Sequence, residues 1–276
     1  MIKPDGENLI IIIGAMKSGT TSLFKHLSQL PEVISTQKTE THFFSTKFDK
    51  GLNFYQSFWE PNSFDKTNLY LEASPTYFKC HLHKDVPKNI FNSYPKAKLI
   101  CILRHPIDRL ETNYRQYIND TGNKEGINTN LPEDLVLSSM YYHQIKEYLK
   151  YFGKNQIKIV KTKDLKTNPE KVLDDVCTFL NTKKINFKNL SVKYGDRRVT
   201  NTGLYQNLRK FRLLKAIVKH IPQKYKYILI RSLTKDKDKI DSQLWKLNSE
   251  NREKLLLQFT DDNNKMINEF NIDVLD

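Results

Sequence analysis

One stretch of this chain constrains its fold more than any other. Leu9-Ile10-Ile11-Ile12-Ile13 is an unbroken apolar run closed by Gly14. With no polar residue alternating through it, neither side of the segment can face water, so it reads as a strand buried on both faces of a parallel sheet. Apolar residues then recur at Leu23, Phe24, Leu27 and Leu30, the spacing of a helix from Thr20 to Leu30 that Pro31 stops. Strand, glycine loop and helix are therefore consecutive.

The same alternation continues. Strands are expected at Asn68 to Glu72, Lys98 to Leu103 and Gln156 to Lys161. Helices are expected from Pro106 to about Ile118, from Pro169 to Leu180 and, later, over Leu204 to His220, Pro222 to Ser232 and Ser249 to Phe270. Pro106 suits a first helical position because its missing N–H would be unpaired there in any case. Strands alternating with helices imply an α/β fold, a three-layer sandwich with a central parallel sheet flanked by helices. At 276 residues and 38% hydrophobic content, with neither repeats nor a Pro/Gly-rich linker, residues 1–276 read as one domain.

Lys and Arg number 45 against 31 acidic residues, a formal charge of +14 that concentrates anions at the surface. Runs such as Lys235 to Lys239 read singly as solvated surface. Cys80, Cys101 and Cys177 are scattered, with no CxxC spacing, so neither a disulfide framework nor a zinc site is indicated. No signal peptide or membrane-spanning run precedes the first strand, and a cytoplasmic location is expected.

Gly14-Ala15-Met16-Lys17-Ser18-Gly19-Thr20-Thr21 lies where a strand hands over to a helix, and there backbone N–H groups and the positive end of the helix dipole converge on an anion. The loop is P-loop-like but not that of a kinase. The ATP-binding form, GxxxxGK[ST], has Lys after its second glycine; here Thr20 holds that place and the lysine is Lys17, inside the loop. No acid for a metal follows the run at Ile100 to Leu103; Arg104 does.

Lys17 to Ser22 resembles the 5'-phosphosulfate loop of the sulfotransferases that use 3'-phosphoadenosine 5'-phosphosulfate (PAPS). Arg104-His105-Pro106-Ile107-Asp108-Arg109, with Thr112 eight residues after Arg104, is similar to that family's 3'-phosphate motif RxPxxRxxS, with Thr in place of Ser. A planar guanidinium fork at Arg104 and a hydroxyl at Thr112 suit a phosphate. Arg109 reads either as part of the motif or as an ion-pair partner of Asp108 or Glu111. The resemblance implies that Lys17, Ser18, Gly19, Thr20, Thr21 and Ser22 hold the phosphosulfate, that Arg104 and Thr112 hold the 3'-phosphate, and that adenosine 3',5'-bisphosphate is the product, with no metal required. It also places Arg197 and Arg198 where the family closes a loop over the adenosine.

Lys38-Thr39-Glu40-Thr41-His42-Phe43-Phe44, with Lys50 to Tyr55 after it, resembles a segment of the heparan-sulfate and related carbohydrate branch. That implies Glu40 as catalytic base; the cytosolic branch commonly uses a histidine, which keeps His42 as a second candidate. Lys17 would stabilise charge on the leaving group. Glu72-Ala73-Ser74-Pro75 is similar to a cleft-lining family segment in which Lys commonly stands where this chain has Ala73, so that lysine's part in charge stabilisation is either absent or moved to Lys79 or Lys38; Lys38 is expected at the acceptor, and Glu72 either there or as a cap of local backbone. The resemblance makes a saccharide the expected acceptor, with lipid headgroups, small alcohols and protein tyrosine as alternatives. Eukaryotic members of that branch usually carry a Golgi membrane anchor, and this sequence starts almost directly at its first strand, so either a bacterial or viral cytoplasmic enzyme or a shortened chain is expected. A nucleotide kinase and a non-catalytic polyanion binder are the competing readings; no nucleic-acid-binding motif supports the second.

Overall fold

The computed structural model of the chain describes residues 8–60, 68–191 and 241–276. Its strands are β1 (Leu9–Gly14), β2 (Val33–Ser35), β3 (Leu69–Ala73), β4 (Lys98–Leu103) and β5 (Ile157–Lys161). All pair in parallel, in the order β2-β3-β1-β4-β5. The helices are α1 (Thr20–Leu27), α2 (Phe43–Thr46), α3 (Gly51–Gln56), α4 (Val86–Ser93), α5 (Pro106–Thr121), α6 (Glu133–Leu137), α7 (Tyr141–Leu149), α8 (Thr162–Thr167), α9 (Pro169–Leu180) and α10 (Ser249–Phe270).

Every residue of β1 is buried because the pleat sends alternate side chains to opposite faces, and both faces are covered. Leu9, Ile11 and Ile13 join Leu99, Cys101 and Leu103 against Val86 and Ile90 of α4 and Tyr141, Ile145 and Tyr148 of α7. Ile10 and Ile12 join Ile100 and Ile102 against Leu23, Phe24 and Leu27 of α1 and Leu173, Val176 and Leu180 of α9. This is the three-layer sandwich. Truncating any of these Leu or Ile side chains to Ala costs about 2 to 5 kcal/mol.

Two helix ends differ from the sequence reading. α1 stops at Leu27, not Leu30: the Ser28 hydroxyl bonds back to the Phe24 carbonyl at 2.7 Å, and Gln29 and Leu30 donate to carbonyls three residues back, so the last turn tightens. α5 continues past Ile118 to Thr121, where Gly122 takes the left-handed conformation (φ 72°) and donates to the Ile118 carbonyl. The expected helices over Leu204 to His220 and Pro222 to Ser232 lie outside the described residues. Among the described residues no helix is long and apolar enough to cross a membrane.

The strand order positions the site. From β1 the chain goes to β2 on one side, returns to β3 beside β1, then crosses to β4 and β5 on the other side. The direction of connection reverses between β1 and β4. The crevice beyond the carboxyl ends of two such strands is where open α/β sheets take their ligands.

Candidate active site

The glycine loop leaves β1 at that crevice. A Cβ on Gly14 would lie 2.4 Å from Phe78 Cβ, so only glycine fits. Lys17 (φ 68°) and Gly19 (φ 104°) then take left-handed backbone, and Gly19 becomes the N-cap of α1 with no side chain capping that helix. The N–H groups of a first turn have no acceptor within their own helix, and the dipole adds positive potential, so the turn can seat an anion. Ser18 departs from its expected part: its side chain is fully buried and its N–H is spent on the Ala15 carbonyl at 3.2 Å. Thr20 is also buried, which limits it to its backbone, while Lys17, Gly19, Thr21 and Ser22 are part-exposed.

One strand over, Arg104 follows the last residue of β4 and Thr112 lies two turns along α5. Arg104 Nη1 donates to Thr112 Oγ1 at 3.1 Å, and Thr112 donates in turn to the Asp108 carbonyl at 2.7 Å. Thr112 thus orients the guanidinium and its own hydrogen is already used. Asp108 also holds Arg104, 3.5 Å from Nη2, while the Tyr141 hydroxyl donates to the Arg104 carbonyl at 2.6 Å.

The third group gathers at the end of β3. His42 Nε2 lies 3.3 Å from Glu40 Oε2, and His42 Nδ1 lies 3.1 Å from Thr76 Oγ1. An ionised carboxylate only accepts, so a neutral His42 carries its proton on Nε2 and accepts from Thr76 at Nδ1. Both ring nitrogens are then engaged, and Glu40 keeps the accepting role. The Ser74 hydroxyl receives the backbone N–H groups of Thr41 (3.1 Å) and His42 (3.0 Å) and donates to Glu72 at 2.7 Å; the Thr41 hydroxyl donates to the same Glu72 oxygen at 2.8 Å.

Glu72 therefore corrects the expectation that it touches an acceptor. It is 0% exposed and fixes, through Ser74 and Thr41, the segment that carries Glu40 and His42. Burial pushes its carboxyl upward and the surrounding hydroxyls pull it back.

Five non-glycine residues among those described have positive φ, and three are asparagines, which tolerate it; the other two are Lys17 and His42. Strained backbone of this kind concentrates at functional sites. It falls here on two residues already singled out by motif.

Residues 7–228 match the family model described as "Sulfotransferase domain". The chain belongs to the sulfotransferase family. It is 28% identical over 192 residues to the mouse bifunctional heparan sulfate N-deacetylase/N-sulfotransferase 3, covering 62% of this chain and 22% of that protein. It is 31% identical over 187 residues to the mouse heparan sulfate glucosamine 3-O-sulfotransferase 5, covering 62% of this chain and 52% of that protein. The chain thus spans about a fifth to a half of the length of these curated relatives. In fold it is similar to the crystal structure of a sulfotransferase from Alicyclobacillus acidocaldarius, with TM-score 0.58 and 23% identity over 82% of this chain and 100% of that one. It is also similar to a mouse sulfotransferase complexed with PAP, with TM-score 0.50 and 10% identity over 96% of this chain and 86% of that one.

Other expected site residues of this sulfotransferase-family chain fare differently. Lys38 is exposed, two residues before Glu40. Ala73 is buried in the sheet (1% exposed), and Lys79 pairs with Asp134 at 3.1 Å. Arg197 and Arg198 lie outside the described residues. Two cations escaped the sequence reading: Lys161 ends β5 in register with Leu103, and with Lys163 it lines a small recess shared with Arg104. Asp276 pairs with both, at 3.3 and 3.2 Å. The rule that ligands gather at carboxyl strand ends could have found them.

Proposed function

We propose that this chain transfers a sulfuryl group from PAPS to a hydroxyl or amine of a saccharide, with Glu40 as the base. The observation that carries the reading is the placement of two anion-binding motifs, Lys17 to Ser22 and Arg104 with Thr112, beyond the carboxyl ends of β1 and β4, the adjacent strands at which connection order reverses. A nucleotide with anions at both ends suits two such seats on neighbouring strands. One α1 N-terminus without a side-chain cap and one oriented guanidinium supply them.

When bound, PAPS would supply the sulfuryl group and depart as adenosine 3',5'-bisphosphate. Transfer of this kind asks the protein chiefly for positioning and charge stabilisation. Lys17 and the first-turn N–H groups of α1 would stabilise charge on the leaving phosphate. Glu40 would take the acceptor's proton, and His42, bonded to Glu40 and Thr76, would hold that carboxylate in place. The heparan sulfate acceptors named for the relatives, together with the +14 charge, favour an acidic saccharide over a lipid headgroup or small alcohol.

The test is incubation of wild type and Glu40→Gln with sulfur-labelled PAPS and a panel of heparan-type saccharides, lipids and small alcohols. Wild type should label a saccharide. The variant should not, while still binding adenosine 3',5'-bisphosphate. Label retained in the variant would remove Glu40 from the base role, and label confined to a lipid or alcohol would replace the acceptor.

A further inference from the structure

Arg109 was expected to take part in the 3'-phosphate motif or to pair with Asp108 or Glu111. The structure shows neither. Its side chain is buried, 1% exposed, and turns from α5 toward the glycine loop. Nε donates to the Met16 carbonyl at 3.0 Å, and Nη1 donates to the Ser139 hydroxyl at 2.7 Å and more weakly to the Leu135 carbonyl at 3.5 Å. All three partners are neutral. Asp108 is engaged with Arg104, and Glu111 accepts from Lys246 and from the Leu247 N–H. The charge of Asp134 also reaches Arg109, but Asp134 is bonded to His81 (2.7 Å) and Lys79 (3.1 Å), and Tyr141 is a neutral phenol whose hydroxyl is spent on the Arg104 carbonyl.

A buried guanidinium bonded only to neutral groups is costly, because desolvation of the charge is not repaid by a bonded counter-charge. Its position indicates what offsets the cost. Met16 immediately precedes Lys17, so the cation stands directly behind the loop that would receive the 5' anion, in a medium where charges act more strongly than in water. The same bond fixes the Met16 peptide and so the left-handed turn at Lys17.

We infer that Arg109 is a positioning residue for donor binding, acting through the Met16 carbonyl on the 5' loop and supplying buried positive potential behind it, without touching the nucleotide. The inference rests on the donor reading above. Because it acts through the 5' loop, its effect should be confined to ligands with a 5' anion. Arg104, one strand away, would serve the 3' end instead.

The experiment compares binding of adenosine 3',5'-bisphosphate and of adenosine 3'-monophosphate to wild type, Arg109→Met and Ser139→Ala, by calorimetry on protein checked for folding by thermal denaturation. Arg109→Met should lose roughly tenfold or more in affinity for the bisphosphate, the scale of a lost hydrogen bond to a charged group, and little for the 3'-monophosphate. Ser139→Ala, which frees one end of the guanidinium while leaving the Met16 bond, should show the same selectivity with a smaller loss and serves if Arg109→Met does not fold. Arg109→Lys should restore part of the difference. A purely structural arginine would lower the melting temperature and leave both affinities of the folded protein unchanged, or reduce both alike; either result overturns the inference. Wild type that binds the 3'-monophosphate and gains nothing from the 5'-phosphate overturns it too, and wild type that binds neither nucleotide overturns the donor reading on which it stands.

Discussion

The hydroxyl of Thr162 lies 2.5 Å from the carbonyl oxygen of Ser18, 144 residues away in sequence, and 2.8 Å from that of Leu103. A hydroxyl has one hydrogen, and here it is shared between the loop after β1 and the end of β4. The two motifs proposed to bind anions are thereby held in one frame by a buried side chain at the start of α8. Thr162→Val, which keeps the volume and removes the hydroxyl, should cost about 1 to 3 kcal/mol in chemical denaturation. It should also weaken binding of adenosine 3',5'-bisphosphate severalfold. A destabilised variant with unchanged affinity would show that the tie does not govern the site.

Asp108 and a phosphate would compete for Arg104. Arg104→Ala should reduce bisphosphate affinity tenfold or more. Asp108→Asn should raise it, by up to about fivefold, since part-exposed ion pairs contribute only about 0.2 to 1 kcal/mol. Thr112→Ser preserves both bonds and should leave affinity near wild type. Calorimetric titration measures all three, and weaker binding in Asp108→Asn would contradict the competition.

Glu72 supports the site from beneath. Glu72→Ala leaves the buried hydroxyls of Thr41 and Ser74 without their acceptor and should cost about 2 to 4 kcal/mol. Turnover should fall because the Thr41–His42 backbone loosens, while bisphosphate affinity should hold, since Glu72 accepts from Ser74 and from Thr41 of the Glu40–His42 segment and Arg104 is held instead by Thr112 and Asp108. Steady-state kinetics beside titration separates the two effects.

Asp134 sets a dependence on acid. Its hydrogen bond from His81, with Lys79 adding its charge, holds the carboxyl at about 2 against an ordinary 3.8. A carboxyl with a lower value folded than unfolded binds fewer protons in the folded state, so its contribution to stability is complete above about pH 4 and is lost as pH falls toward 2. Wild type should lose stability more steeply than Asp134→Asn across that window in denaturation at stepped pH. Equal slopes would assign the acid sensitivity elsewhere.

What the sequence made legible was whatever rests on local pattern. β1 and β4 are continuous apolar runs, so their strands and the loops after them could be placed to within a residue. The motifs at Lys17 to Ser22 and Arg104 to Thr112 depend on fixed spacing at those strand ends. β2 was not visible because three residues carry no period. The burial of Glu72 and Ser18, the turn of Arg109 toward Met16 and the shared hydroxyl of Thr162 depend on contacts between segments far apart in the chain, which no single window encodes. Lys161 and Lys163 looked like two lysines among many until register set Lys161 beside Leu103.

The central claim is that the two strand-end seats hold one bisphosphorylated nucleotide. The most direct measurement is calorimetric titration of the protein with adenosine 3',5'-bisphosphate, beside ATP with Mg²⁺. The account predicts one-to-one binding of the bisphosphate and weak or absent binding of ATP. Tight binding of ATP with Mg²⁺, or binding of neither, would contradict it.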